Sequence, residues 1–279
     1  MSRVAVITGA SSGIGLLAAV EMARRGYTVV GLMRDLARRT RLDEAAAVGG
    51  VKIDVRCLDV TDFARIPQIV GEIVRDHGRI DVLVNNAGFA MAGFLEDILL
   101  EELRQQFETN FFGVVAMTRA VLPTMRAQRS GHIIMVSSVS GRVGELGIGS
   151  YSASKFALEG WSEALRVECR TLGIHVALVE PGSFRTDIWD RNARIGKFAL
   201  DRSSPNHQRG ARFTQFIKSH LPTQDATPVA KLIADIAEKP QPRLRYVIGK
   251  DAFLLLWLRR LLPWKSYEKV VLKVVGVDR

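Results

Sequence analysis

The sequence predicts an α/β fold: a single-domain Rossmann fold with a doubly wound parallel sheet of about seven strands and helices on both faces. Three observations carry this. Short, nearly continuous Val/Ile/Leu runs read as strands covered on both sides. They alternate with stretches of helical period, and regular strand–helix alternation means parallel strands joined by crossovers. The first strand runs directly into a glycine-rich turn and a helix. The length of 279 residues suits one large domain.

In chain order, strands are expected at 4–7, 28–33, 51–58, 82–85, 133–137 and 176–179, with a seventh at 246–248. Helices are expected near 14–25, 62–77, 99–127 and 152–172. Gly26, Gly78 and Gly173 follow three of these, where a left-handed C-cap favours glycine. Alternation stops after Gly182, which divides the chain into a core over 1–182, a polar, basic segment over 183–226 and a C-terminal extension over 252–279. The middle segment is either a surface excursion or a lid over a pocket, and its place after the sixth strand favours the lid. A helix restarts at Thr227-Pro228, an N-cap followed by proline at the first helical position.

Composition narrows the function classes. Cys57 and Cys169 form no CxxC pair, and the five histidines form no HxxxH pair, so neither a disulfide scaffold nor a metal site is expected. The net charge is +10, and nine Lys/Arg against three Asp/Glu lie between Gln241 and Arg279. Such a balance suits a phosphorylated cofactor, an anionic surface or nucleic acid. No helix-turn-helix or finger spacing supports nucleic acid. The start carries no apolar leader, and the longest late apolar run, 252–258, is far short of a spanning helix, so a cytoplasmic enzyme is expected.

Two regions carry chemistry. The turn Thr8-Gly9-Ala10-Ser11-Ser12-Gly13-Ile14-Gly15 lets the backbone approach a pyrophosphate, and the helix behind it offers unpaired N–H groups to an anion. Tyr151 and Lys155 lie four apart on a helix, hence on one face. A nearby ammonium favours a phenolate, so Lys155, together with the cationic ring of an oxidised nicotinamide cofactor, is expected to draw the Tyr151 phenol below its ordinary value. Ser138 lies thirteen residues before Tyr151, at the end of a strand.

The GxxxGxG turn, Asn85-Asn86-Ala87-Gly88 and Tyr151-Ser152-Ala153-Ser154-Lys155 together resemble the single-domain branch of the short-chain dehydrogenase/reductase family, over roughly 3–190 and more weakly to about 251. The resemblance implies an oxidoreductase interconverting a carbonyl and an alcohol by hydride transfer. Tyr151 would exchange the proton, Ser138 orient the substrate oxygen, Lys155 grip the cofactor ribose and tune Tyr151, and Asn110 bend its helix and hold a relay water. The cofactor would be cradled by Gly9, Ser11, Ser12, Gly13, Ile14 and Gly15. Asp59 and Val60 would take the adenine, and Asn86, Ala87, Gly88, Tyr151 and Lys155 the ribose. Pro181, Gly182, Phe184 and Thr186 would lie beside the nicotinamide.

Cofactor form turns on the end of the second strand. Met33 occupies the position where an acid would bind a ribose 2′-OH, and Arg34 follows it, which favours NADP(H) over NAD(H). Asp35 is either a ribose ligand, if the strand runs further, or a loop acid capping the next helix. Asp59 has its own plain reading as a turn cap. Phe89, Met91, Phe94, Val143, Leu146, Phe184 and Trp189 are the expected substrate walls, suited to a bulky lipophilic compound. Arg245-Tyr246-Val247-Ile248-Gly249-Lys250-Asp251 and the basic-apolar tail resemble the 17β-hydroxysteroid and retinol dehydrogenase relatives. Pro263 should split the tail into two helices, which pack on the domain or lie on an anionic membrane. The family implies a homodimer or homotetramer through the helices near 99–127 and 152–172. A non-catalytic cofactor-binding protein on the same fold is the alternative, and the presence of Ser138, Tyr151 and Lys155 together argues against it.

Overall fold

The structure is a computed structural model describing residues 2–189, 192–219 and 222–276. The elements run β1 (Val4–Thr8), α1 (Gly13–Arg24), β2 (Thr28–Met33), α2 (Thr40–Gly49), β3 (Asp54–Cys57), α3 (Arg65–His77), β4 (Val82–Asn85), β5 (Ala90–Ala92) and α4 (Leu100–Phe107). A π turn, Glu108–Phe112, leads into α5 (Gly113–Gln128), β6 (Gly131–Val136), α6 (Gly149–Cys169), β7 (Ile174–Pro181) and β8 (Ala193–Ile195). The chain continues through α7 (His207–Ser219), α8 (Thr227–Glu238), β9 (Arg245–Ile248), α9 (Lys250–Leu261) and α10 (Trp264–Val275).

Seven strands form one sheet in the order β3-β2-β1-β4-β6-β7-β9, and every neighbouring pair is parallel. One face is covered by α1 and α8, where Ala18, Met22, Val229 and Ile233 are buried against the sheet. The other carries α3, α5 and α6 through Ile66, Ile73, Met117, Val121 and Leu158. The strand order reverses direction between β1 and β4, so their C-terminal ends open a crevice, where ligands bind in sheets of this kind.

Several boundaries differ from expectation for physical reasons. The third strand is Asp54–Cys57 rather than 51–58, because it is an edge strand that pairs only with Val30–Met33. Helix α2 had no clear signal: its Arg-rich start reads as a charge run, and it buries only Leu42 and Ala46. The segment 99–127 is two helices joined by the π turn rather than one. At α8 the cap is Ala226, one residue before the expected Thr227, with proline in the first turn. Pro263 does separate α9 from α10.

Candidate active site

The cleft at the crevice has a volume of about 540 Å³ and runs from the β1–α1 turn to α6. The turn after β1 is built for close approach. Gly9 has φ +69°, and a Cβ there would fall 2.8 Å from the Ala87 Cα. A Cβ on Gly15 would fall 2.3 Å from the Asn86 amide nitrogen and 2.4 Å from the Gly9 carbonyl. Asn86 in turn donates to the carbonyls of Thr8 (3.0 Å) and Gly9 (3.2 Å), tying β4 to the turn. Gly15 therefore serves this packing and does not itself line the cleft, whereas Gly9, Ser11, Ser12, Gly13 and Ile14 do. The Ser12 side chain makes no capping bond to α1, so the first turn of the helix presents its N–H groups at the cleft. This turn, a backbone cradle with no room for a Cβ, fits a pyrophosphate.

At the sheet's outer side Met33, Arg34, Asp35 and Arg38 line the cleft, followed by Leu58, Asp59, Val60 and Thr61. The strand ends at Met33, and the Asp35 carboxylate accepts from the Ala37 N–H at 3.0 Å, the capping arrangement. It also lies 3.7 Å from Arg38. Asp59 caps its own turn, accepting from the Thr61 N–H at 2.9 Å and the Thr61 hydroxyl at 2.8 Å. Asn86, Ala87 and Gly88 line the middle, and Pro181, Gly182, Phe184 and Thr186 the inner end.

At that inner end Ser138, Tyr151 and Lys155 converge from β6 and α6. Ser138 shares a hydrogen bond with the Tyr151 hydroxyl. Lys155 donates to the Val136 carbonyl at 2.8 Å, and its Nζ lies 5.7 Å from the centroid of the Tyr151 ring. Burial pushes the Lys155 ammonium down to about 8, against the pull of Glu159. In the protein alone, burial opposes the lowering expected of the Tyr151 phenol with Lys155 and the oxidised cofactor. Burial holds it well above its ordinary range, and the Ser138 hydrogen bond offsets only part of that. Tyr151 is thus a protonated, poised acid in this structure.

Asn110 is fully buried on the π turn and does not line the cleft. Its amide accepts from the Phe89 N–H (3.1 Å) and donates to the Phe89 carbonyl (3.0 Å) and the Ser154 hydroxyl (3.2 Å). The π turn interrupts the helix at Asn110, whose side chain clamps the loop after β4 to α6.

The substrate walls are partly redrawn. Of the expected residues Phe89 and Phe184 line the cleft, joined by Val139, Ile148 and Ile188. Met91 and Val143 are core, and Phe94 packs its ring against Phe213. Leu146 is set back from the cleft, and the side chain of Trp189 lies outside the described residues. Two features escaped sequence reasoning. Glu145, from the loop after β6, is half-buried in the cleft wall with its carboxylate on the Ser140 hydroxyl. Behind Lys155, Glu159 and Glu180 share Arg245, each at 3.0 Å, while Arg142 reaches Glu180 at 3.3 Å. Neither group has a local spacing that would mark it; each is assembled from separate elements.

Comparison with known proteins adds four findings. The family model described as short chain dehydrogenase matches residues 3–194. An uncharacterized oxidoreductase of Bacillus subtilis strain 168, YusZ, is 42% identical over 275 residues, covering 97% of this chain and 98% of its own. Retinol dehydrogenase 8 of Homo sapiens is 43% identical over 190 residues, 67% of this chain and 60% of that protein. Among solved structures, a metagenomic short-chain oxidoreductase in complex with NADP superposes with a TM-score of 0.70 at 25% identity, covering 88% of this chain and 96% of the other.

Proposed function

The chain belongs to the short-chain dehydrogenases and is an NAD(P)-dependent oxidoreductase acting on CH–OH donors, and from that premise we propose that it reduces a bulky lipophilic carbonyl with NADPH. The observation that carries this is the convergence of Ser138, Tyr151 and Lys155 at the apolar end of the nucleotide cleft. The cofactor, when bound, supplies the hydride. Tyr151 gives its proton to the substrate oxygen, Ser138 holds that oxygen in reach, and Lys155 stabilises the negative charge left on Tyr151. Gly9, Ser11, Ser12, Gly13 and Ile14 take the phosphates; Asp59 and Val60 the adenine; Asn86, Ala87, Gly88, Tyr151 and Lys155 the ribose. Pro181, Gly182, Phe184 and Thr186 flank the reacting ring, and Asn110 holds the Phe89 wall in place. The segment 183–226 acts as the lid, and the aromatic wall of Phe89 and Phe184 selects apolar substrates. The likeness to retinol dehydrogenase 8 supports a lipophilic substrate.

The test is turnover of carbonyls graded from small ketones to steroids and retinal, with NADPH and NADH. NADPH-dependent reduction confined to the bulky members is expected; reduction of small ketones alone would overturn the substrate reading. The preference for NADPH rests on Arg34 and Arg38 lining the cleft beside Met33, with the neighbouring Asp35 carboxylate engaged in its own cap on the Ala37 N–H. Met33→Asp should therefore lower kcat/KM for NADPH by about tenfold or more and raise it for NADH, since a carboxylate there repels the phosphate and accepts from the ribose hydroxyl. An unchanged ratio of the two would refute that assignment.

The C-terminal helices define a contact surface. Phe253, Leu254, Trp257, Leu261 and Trp264 are each more than half exposed. Lys250, Arg260, Lys265, Lys269 and Lys273 lie on the same two helices. A second copy meeting this patch face to face would set basic rims against each other, whereas an anionic bilayer complements them. No helix among the described residues is long or apolar enough to cross a membrane, so the contact is peripheral. Self-association runs instead through α4–α5 and α6, where Phe112 at the end of the π turn and Phe156 on α6 stand half exposed. The full-length protein should co-sediment with vesicles containing phosphatidylglycerol and far less with neutral phosphatidylcholine vesicles, and Trp257→Ser with Leu261→Ser should weaken binding about tenfold or more. Equal partition into neither vesicle type would remove the membrane reading.

A further inference from the structure

Glu145, a half-buried acid in the described cleft wall, has a continuous hydroxyl path to the reaction centre. Tyr151 shares a hydrogen bond with Ser138. The Ser138 hydroxyl donates to the Ser140 hydroxyl at 3.2 Å, and the Ser140 hydroxyl donates to the Glu145 carboxylate. The path is held rigidly. The Ser140 N–H donates to Ser138 Oγ at 3.1 Å within the turn Val139–Gly141, and the Glu145 N–H reaches the Ser152 hydroxyl on α6 at 3.4 Å. We propose that Glu145 is a proton-holding positioning residue, which reloads Tyr151 through Ser140 and Ser138 after each carbonyl reduction.

The step balances. When Tyr151 gives its proton to the substrate oxygen, the phenolate takes the Ser138 hydroxyl proton. Ser138 takes that of Ser140, and Ser140 takes the carboxyl proton of Glu145. Three O–H bonds break and three form, the charge moves from Tyr151 to Glu145, and solvent at the cleft mouth returns the proton to Glu145. In the reverse direction the same path carries the Tyr151 proton outward. The other polar side chains nearby are engaged elsewhere: Lys155 donates to the Val136 carbonyl and Asn110 clamps Phe89.

The surroundings raise the Glu145 carboxyl above its ordinary range. Burial pushes Glu145 up, reinforced by Asp251 at the start of α9 and opposed by the Ser140 hydrogen bond. Tyr151 on α6 and Tyr267 on α10 both feel its charge. Lys155 is the cation on the far side of Tyr151.

This inference rests on the reductase reading, and the experiment separates the two. The full chain is compared as wild type, Glu145→Gln, Ser140→Ala and the double variant, with Glu145→Asp as the conservative replacement. Glu145→Gln should lower kcat about tenfold or more, leave KM for NADPH nearly unchanged and remove one limb of the kcat–pH profile. Ser140→Ala should match it, the double variant should be no worse than either, and Glu145→Asp should restore the limb. A pH profile of unchanged shape in Glu145→Gln, or losses that add in the double variant, would overturn the proposal. If the wild type reduces no carbonyl in the panel, the reductase reading fails instead. The relay is then decided by ultraviolet titration of Tyr151, taken as the difference from Tyr151→Phe. Its ionisation should begin at lower pH in Glu145→Gln, and no displacement would overturn it.

Discussion

Tyr151→Phe is expected to lower kcat about 10³-fold, while the affinity for NADPH changes little. The substitution removes one oxygen and keeps the ring. That ring is 4% exposed and packs in a cluster with Ala90, Ile148 and Phe213, so the fold is expected to lose at most about 1 kcal/mol, the worth of one hydrogen bond. The loss should fall on the chemical step, because the phenol is the acid that meets the developing alkoxide. Ser138 remains in place to hold the substrate, so KM for the carbonyl should move less than kcat. Single-turnover kinetics with NADPH check this directly. A variant retaining more than about a tenth of wild-type kcat would remove Tyr151 from the proton-transfer step.

Arg245→Met should be the most damaging single change away from the cleft, costing about 3–5 kcal/mol. Arg245 sits between Glu159 and Glu180, both almost wholly buried, and extends to Glu163 at 2.5 Å. Without it, Arg142 alone faces two desolvated carboxylates. Burial and the neighbouring Glu159 push Glu180 up to about 7 from an ordinary value near 4.5. A carboxyl raised in the folded state contributes stability that is full below pH 4.5 and is lost as pH rises through about 7. Removing its counter-cation steepens that loss. The melting temperature of Arg245→Met should therefore fall further below wild type at pH 8 than at pH 5. An equal deficit at both pH values would mean that the damage is lost packing and not unpaired charge.

What was legible in the sequence is what is written locally. Gly9, Gly13 and Gly15 announce a turn because only glycine fits there, and Tyr151 with Lys155 announces a helix face because one turn separates them. Met33 and Arg34 could be placed because the strand before them is a plain apolar run, and the capping role of Asp35 follows from where that strand stops. Glu145, Glu159, Glu180 and Arg245 were not legible as groups. Each lies on a different element, and only the crossovers of the sheet bring them together. The substrate wall was half legible for a similar reason. Phe89 and Phe184 follow strands directly and were placed correctly, whereas Phe94 was drawn away by Phe213 on a helix of the poorly periodic segment after β7. Spacing shows the cation beside Tyr151 and says nothing about the exclusion from water that opposes it.

The π turn at Glu108–Phe112 also sets the phase of everything that follows it. One surplus residue advances a helix by about 100°. Val114, Met117, Val121 and Met125 face the sheet because the count of residues before them includes that surplus. Delete one residue between positions 108 and 112 and the segment would wind as an uninterrupted α-helix, its apolar stripe rotated toward solvent and Asn110 swung off Phe89. The stretch thus tolerates changes of kind more readily than changes of number. Any relative carrying a one-residue gap there must have rebuilt either its core or the clamp on the cleft.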